Sequence, residues 1–243
     1  MPEPKQLALV VASVDDFTPH MRRIGLTGPS LDGFEYLPGQ DLAVAVPRDD
    51  GSVVRRRYTI RRCDRHRGLL DLEVVMHGDG PGIRWAQSVR PGLAVDAIGP
   101  RGKITLAPGA QWHLFAGDAT ALPGSLAMME ALPPEAPARA YVLVDGPAER
   151  QPLASSATNN TVTWRYDSSP DSQPDGGLVD AVASADLPRG RGHAYLAGEV
   201  ALVSALKATL LGRGWTADHV SAKAYWNRGR ANAGHGEPEL KAS

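Results

Sequence analysis

The sequence predicts an α+β chain of two parts, an antiparallel β-barrel over residues 1–106 followed by an α/β unit with a parallel sheet over residues 107–243. Three observations lead to that class. From Leu7 to about Leu106 short strand-like runs follow one another, divided by Gly/Pro turns. From Trp112 onward strand-like runs alternate with helix-like ones, the rhythm of βα units. The two rhythms meet at Leu106-Ala107-Pro108-Gly109-Ala110, a stretch fit only for a turn.

In the first part the strands are expected at Leu7–Val14, Met21–Thr27, Leu42–Val46, Val53–Arg61, Leu69–Met76 and Leu93–Ile98. Thr27-Gly28-Pro29, Leu37-Pro38-Gly39 and Arg90-Pro91-Gly92 punctuate them. In the second part strands are expected at Trp112–Ala116, Ala140–Val144, Thr161–Tyr166, His193–Ala197 and Ser221–Trp226, with helices at Leu122–Ala131, Leu178–Ala185 and Val200–Leu211. The polar stretches 154–160 and 168–177 read as surface loops, and no internal repeat is visible.

Composition narrows the function. The 243 residues are 42% hydrophobic and 22% charged, an ordinary globular mix with enough apolar material for a real core. A net charge of −1 gives no general attraction to nucleic acid or to acidic membranes, so any basic site must be local. Cys63 is the one cysteine, which excludes an internal disulfide and a cysteine-cluster metal site and fits a reducing compartment. The N-terminus lacks an apolar signal core and no apolar run approaches the ~18–20 residues of a membrane span, so a soluble cytoplasmic protein is expected. The histidines show no metal-ligand spacing and there is no GxSxG elbow, so no protein-bound metal and no covalent nucleophile are expected.

The segment richest in chemistry is Arg55-Arg56-Arg57-Tyr58-Thr59-Ile60-Arg61-Arg62. Strand alternation puts Arg56 and Tyr58 on one side, where a guanidinium can fork onto a pyrophosphate and a phenol ring can lie against a flat ring system, as in a flavin-binding strand. Thr59 falls on the other face and reaches the same ligand only through its backbone N–H or a local twist. A solvated, charged edge strand accounts for the segment equally well.

A second segment, His77-Gly78-Asp79-Gly80-Pro81-Gly82-Ile83-Arg84-Trp85-Ala86, leaves a strand, turns on glycines and enters a helix near Pro81 or Gly82. That is anion-binding geometry, since glycines let backbone approach a phosphate and a helix start offers unpaired N–H groups. A plain turn with Trp85 packed in the core is the competing account. In the α/β part, Gly117-Asp118-Ala119-Thr120-Ala121-Leu122-Pro123-Gly124 follows the first strand, where Asp118 or Thr120 can cap the coming helix and where open α/β sheets bind ligands. Gly198 in Ala197-Gly198-Glu199 would permit close approach by a nicotinamide cofactor. Gly212-Arg213-Gly214 follows a helix and reads as its C-terminal turn. Lys223-Ala224-Tyr225-Trp226-Asn227-Arg228-Gly229-Arg230 ends the last strand in two aromatics and a basic turn, which suits core and rim packing or stacking on a flat cofactor.

Taken in order, the arginine strand, the His77 to Ala86 segment, Gly99-Pro100-Arg101-Gly102, Gly117-Asp118 with Thr120 to Pro123, Ala197-Gly198-Glu199 and Tyr225-Trp226 resemble the siderophore-interacting protein family over nearly the whole chain. The resemblance implies an FAD-binding barrel of the ferredoxin-reductase type, an NAD(P)-binding-like α/β domain, and reduction of ferric siderophores. NADH or NADPH is implied as donor, with ferredoxin as another partner. Carried across, Arg56, Tyr58, Thr59 and Ile60 hold the isoalloxazine and pyrophosphate, and His77, Gly80, Gly82 and Trp85 form the second FAD loop. Asp118, Thr120, Ala121, Leu122 and Pro123 close over the cofactor from the other domain, and Tyr225 and Trp226 lie beside the isoalloxazine. Lys223, Arg228 and Arg230 are the candidate contacts to an anionic ferric chelate. The family loop commonly carries an acid where Ala119 stands here and a small or apolar residue at the position of Gly124. A flavoprotein reductase for another acceptor, or a carrier without turnover, are the alternative functions.

Overall fold

The computed structural model describes residues 2–154, 159–167, 175 and 177–228. The chain divides into two compact units, one running to Leu106 and including Leu126–Met128, the other taking the remaining described residues.

In the first unit, β1 (Lys5–Thr18), β2 (Met21–Thr27), β3 (Asp41–Pro47), β4 (Val53–Asp64), β5 (Leu69–Val75) and β6 (Ala94–Arg101) close into a barrel in the order β1-β2-β5-β4-β3-β6. Every pairing is antiparallel. Strand alternation builds the core: Leu7, Leu9 and Val11 of β1 point inward with Ile24 and Leu26, Leu42 and Val44, and Leu70 and Leu72. Each such side chain contributes about 1.5–3 kcal/mol by leaving water. α1 (Pro81–Ser88) sits between β5 and β6 and adds Trp85 and Ala86 to the same core. β4 runs past the expected Arg61 to Asp64 because its register on β5 jumps between Ile60 and Arg62, leaving Arg61 as the extra residue of a bulge.

The second unit is a parallel sheet in the order β11-β10-β7-β8-β9. It is built from β7 (Trp112–Asp118), α2 (Leu122–Glu130), β8 (Ala138–Val144), β9 (Asn160–Tyr166), α3 (Leu178–Ala183), β10 (Gly192–Glu199), α4 (Val200–Gly212) and β11 (Val220–Trp226). α4 buries Leu202, Val203, Leu206 and Leu210, one stripe of the helix, among residues that include Leu114, Ala194 and Leu196. It ends as the Gly212-Arg213-Gly214 reading expects: Gly214 has φ 87 and Trp215 returns its N–H to Leu210. The chain lays β8 and β9 on one side of β7, then returns to lay β10 on the other side. The strand order therefore reverses between β7 and β10, the position where open α/β sheets form a ligand crevice.

Candidate functional site

On β4 the register to β3 is unbroken, with Val44 opposite Arg56 and Leu42 opposite Tyr58. Leu42 and Val44 are core residues, so Arg56 and Tyr58 share the inward side. Arg57 and Thr59 fall on the outward side, opposite Ala43 and Asp41. No twist brings Thr59 across, so only its backbone is available to a ligand on the Tyr58 side. Ile60 is fully buried in the barrel core and gives its N–H to the Gln40 carbonyl.

The neighbouring arginines are spoken for. Arg57 makes a bidentate pair with Asp41 at 2.8 and 2.7 Å, Arg62 binds Asp71 at 2.6 Å, and Arg55 donates to the Ala43 carbonyl at 3.2 Å. Arg56 differs. Its Nη1 donates to the Arg55 carbonyl at 3.1 Å, and among the described residues no carboxylate pairs with it. Burial lowers its pKa, and the charge of Arg48 works in the same direction. A partly desolvated cation without a counter-charge is costly in isolation, and a bound anion offsets that cost.

The Tyr58 ring stacks on Trp85 of α1, with centroids 5.4 Å apart, and its hydroxyl donates to the Gly82 carbonyl at 3.1 Å. Burial pushes the phenol well above its ordinary value, so it is a hydroxyl donor at any working pH. Gly82 is explained by this packing. A Cβ there would lie 2.6 Å from the Tyr58 hydroxyl and 3.3 Å from Cγ of Arg56. Gly80 is different, since its φ of −62 suits any residue and nothing lies within 4 Å of where a Cβ would be. The protein's own packing gives no reason for glycine at 80. The open approach to backbone there, the start of α1 with no side-chain cap, and the unpaired Arg56 beside Gly82 together fit the pyrophosphate of a dinucleotide such as FAD. His77 is exposed, and Arg84 is paired with Asp49 at 3.2 Å, so it brings no free charge to this turn.

In the α/β unit the carboxyl ends of β7, β10 and β11 are tied by Asp118. Its Oδ1 accepts from the Thr120 N–H at 2.8 Å and hydroxyl at 2.5 Å. Its Oδ2 accepts from the Glu199 N–H at 2.7 Å and from Nε1 of Trp226 at 2.9 Å. Burial pushes this carboxyl up, against four donors that favour its ionised form. The capping role read for Asp118 is present, and the link to Trp226 goes beyond it. Gly198 adopts φ 133, and a Cβ on it would lie 2.5 Å from the Asp118 carboxylate. The space its hydrogen leaves is therefore filled by Asp118, which corrects the expectation that this glycine opens the backbone to a nicotinamide.

Ala121, Leu122 and Pro123 are buried at the start of α2, and Thr120 is partly exposed. On β11 the register to β10 passes from Ala224 directly to Trp226, so Tyr225 is the extra residue of a bulge and Trp226 is re-aimed. Nζ of Lys223 lies 5.3 Å from the Tyr225 ring centroid, and the Arg228 N–H donates to Oε1 of Glu199 at 3.4 Å. Arg230 lies outside the described residues.

Two features escaped the sequence reading. Glu199 caps α4, its Oε2 accepting from the N–H groups of Ala201 and Leu202 at 2.5 and 3.0 Å. One sheet face also carries a stack of His113, Phe115, Tyr195 and His193, with Nδ1 of His113 3.1 Å from the Tyr195 hydroxyl. The spacing His113-x-Phe115 and His193-x-Tyr195 was the available signal, since alternate residues of a strand share a face.

The chain matches two family models, the siderophore-interacting FAD-binding domain over residues 37–104 and siderophore-interacting protein over residues 110–229. It is 29% identical over 236 residues to the ferric vibriobactin reductase ViuB of Vibrio cholerae, covering 87% of this chain and 85% of that one. A siderophore utilization protein from T. fusca superimposes with a TM-score of 0.87 at 28% identity, over 97% of both chains. A ferredoxin NADP+ reductase from Neisseria gonorrhoeae shares the fold, with a TM-score of 0.71 at 13% identity over 91% of this chain and 99% of that one.

Proposed function

Since the chain belongs to the siderophore-interacting protein family, with both of its domains matched, we propose that it is an FAD-dependent oxidoreductase that reduces ferric siderophores and so releases their iron. The observation that carries the cofactor is Arg56, half-buried and, among the described residues, without a carboxylate partner, beside a helix start that shows no side-chain cap. In this reading Arg56 binds the pyrophosphate, the backbone around Gly80 approaches it, and the Tyr58–Trp85 stack gives a flat, rigid wall for the rings. His77 and Gly82 complete the loop. Within the α/β unit Asp118, Thr120 to Pro123, Tyr225 and Trp226 are the residues proposed to contact the cofactor, and Asp118 fixes the indole of Trp226. When bound, the flavin converts a two-electron donor into single electrons that Fe(III) can accept. Electrons come from NADH, NADPH or ferredoxin.

Hard oxygen ligands hold Fe(III) better than Fe(II), so reduction loosens the chelate without a covalent step by the protein. Lys223, Arg228 and Arg230 are the proposed contacts to an anionic chelate. The relatives support this reading through ViuB, whose name is that of a ferric vibriobactin reductase. No helix among the described residues is long and apolar enough to cross a membrane.

The test is a visible absorption spectrum of the purified protein, followed by ferric siderophore reduction monitored with an Fe(II)-specific chromogenic chelator. One non-covalent FAD per chain and Fe(II) release are expected. Colourless protein that refuses added FAD would overturn the reading, and bleaching of bound flavin without Fe(II) release would redirect it to another acceptor.

A further inference from the structure

The side of the barrel sheet that carries Tyr58 and Arg56 continues past the end of β3. Leu42, Val44 and Val46 alternate onto it, opposite Tyr58, Arg56 and Val54. The Arg48 N–H then donates to the Ser52 carbonyl at 2.8 Å, which extends the ladder by one step and puts Arg48 next on the same side. The order along this side is therefore the aromatic wall, then Arg56, then Arg48. The level of Arg48 is four residues, or about 13 Å of strand, beyond that of Arg56, a gap that two extended arginine side chains can close.

Arg84 fixes where this hairpin stands. Its Nη2 lies 3.2 Å from Oδ2 of Asp49 and its Nη1 donates to the Asp79 carbonyl, so the hairpin tip is bound to the glycine turn that opens α1. Like charge then faces like charge, since Arg48 acts on Arg56 in the direction that disfavours its cation. Asp50 feels the charge of Arg48, but its Oδ1 is engaged by the Ser52 N–H and hydroxyl at 2.9 and 2.6 Å. Among the described residues no carboxylate makes an ion pair with either arginine. Two guanidiniums beside one uncapped helix start suit an anion that carries two phosphates in line.

Resting on the flavoprotein reading above, we infer that Arg48 is a specificity-determining residue of the cofactor site: it holds the adenylyl-side phosphate while Arg56 holds the flavin-side one, and so makes the protein select FAD over FMN. FMN carries only the flavin-side phosphate and riboflavin carries none, so the three flavins separate the two contacts.

The experiment uses apoprotein of the full chain, as parent, Arg48→Ala, Arg48→Lys and Arg56→Ala, titrated with FAD, FMN and riboflavin at physiological salt and followed by tryptophan fluorescence. Arg48→Ala is expected to weaken FAD about tenfold, equal to about 1.4 kcal/mol, while FMN changes less than about twofold and riboflavin not at all. Arg56→Ala should weaken FAD and FMN together. Arg48→Lys keeps the charge but loses the planar fork, and should fall between parent and Arg48→Ala. Unchanged FAD affinity in Arg48→Ala, equal losses of FAD and FMN, or a parent that binds FMN as tightly as FAD would overturn the inference. If FMN binds too weakly to titrate, ADP, the adenylyl half alone, competes against FAD, and an inhibition constant that Arg48→Ala leaves unchanged overturns it equally. Should Arg48→Ala fail to fold, Arg48→Gln is read by the same criteria. Failure of the flavoprotein reading itself looks different, because the parent would then bind none of the three flavins.

Discussion

The difference between Arg56 and its neighbours rests on single partners. Arg57 is neutralised by Asp41, a residue 16 positions away that strand pairing brings opposite the arginine run. The shared side of Arg56 and Tyr58 was legible from alternation alone, but the identity of the arginine left without an acid was not, since that depends on β3. Arg56→Ala is expected to weaken FAD binding by one to two decades, the ~1.5–3 kcal/mol of a charge-assisted contact, while the fold survives. A flavin fluorescence titration checks it, and unchanged affinity would make the strand a charged surface and nothing more. The two glycines of the next loop separate in the same way. Gly82→Ala drives a methyl into the Tyr58 hydroxyl and should cost about 1–3 kcal/mol in urea unfolding. Gly80→Ala should leave stability within about 0.5 kcal/mol yet lower FAD affinity, because only a ligand would contest that space. Equal effects of the two on stability would contradict this distinction.

At the scale of elements, the strands and helices were legible because turn residues and apolar periodicity are local signals. Bulges were not. The jump at Arg61 and the one at Tyr225 depend on a partner strand, and the second decides which way Trp226 points. The stacked face of β7 and β10 has a consequence for pH. His113 is 4% exposed, and burial first, then the neighbouring His193, depresses its pKa from 6.5 to about 4. Between those values the unfolded chain holds a proton that the folded chain refuses, so stability falls as pH drops from about 6.5 towards about 4. The slope from this one group is at most about 1.4 kcal/mol per pH unit, and His193, shifted the same way, adds to it. Urea midpoints at pH 7 and pH 5 for parent and His113→Gln test this, and an identical acid loss in the variant would clear His113 of the effect.

For the molecule as a whole, a net charge of −1 leaves substrate attraction to local fields. Neutralising Arg228 and Arg230 together should raise the apparent KM for an anionic ferric chelate severalfold, flatten the salt dependence of the reaction and leave FAD content unchanged. An equal loss with a cationic chelate would move the search to Arg48 and Arg55. Neither the barrel's closure nor the ties among the strand ends of the α/β unit could be read from any local window. Both join distant parts of the chain, β1 to β6 in the first case and Asp118 to Trp226, 108 positions on, in the second. That separation sets an order of assembly on the ribosome. β6 can complete the barrel once residue 101 has emerged, whereas β7 keeps one edge unpaired until β10 is made, well after β8 and β9 have joined its other side. The carboxylate of Asp118 must therefore wait through the synthesis of most of its own unit before Glu199 and Trp226 arrive, and a nascent chain stalled in that interval would carry an open β-strand edge.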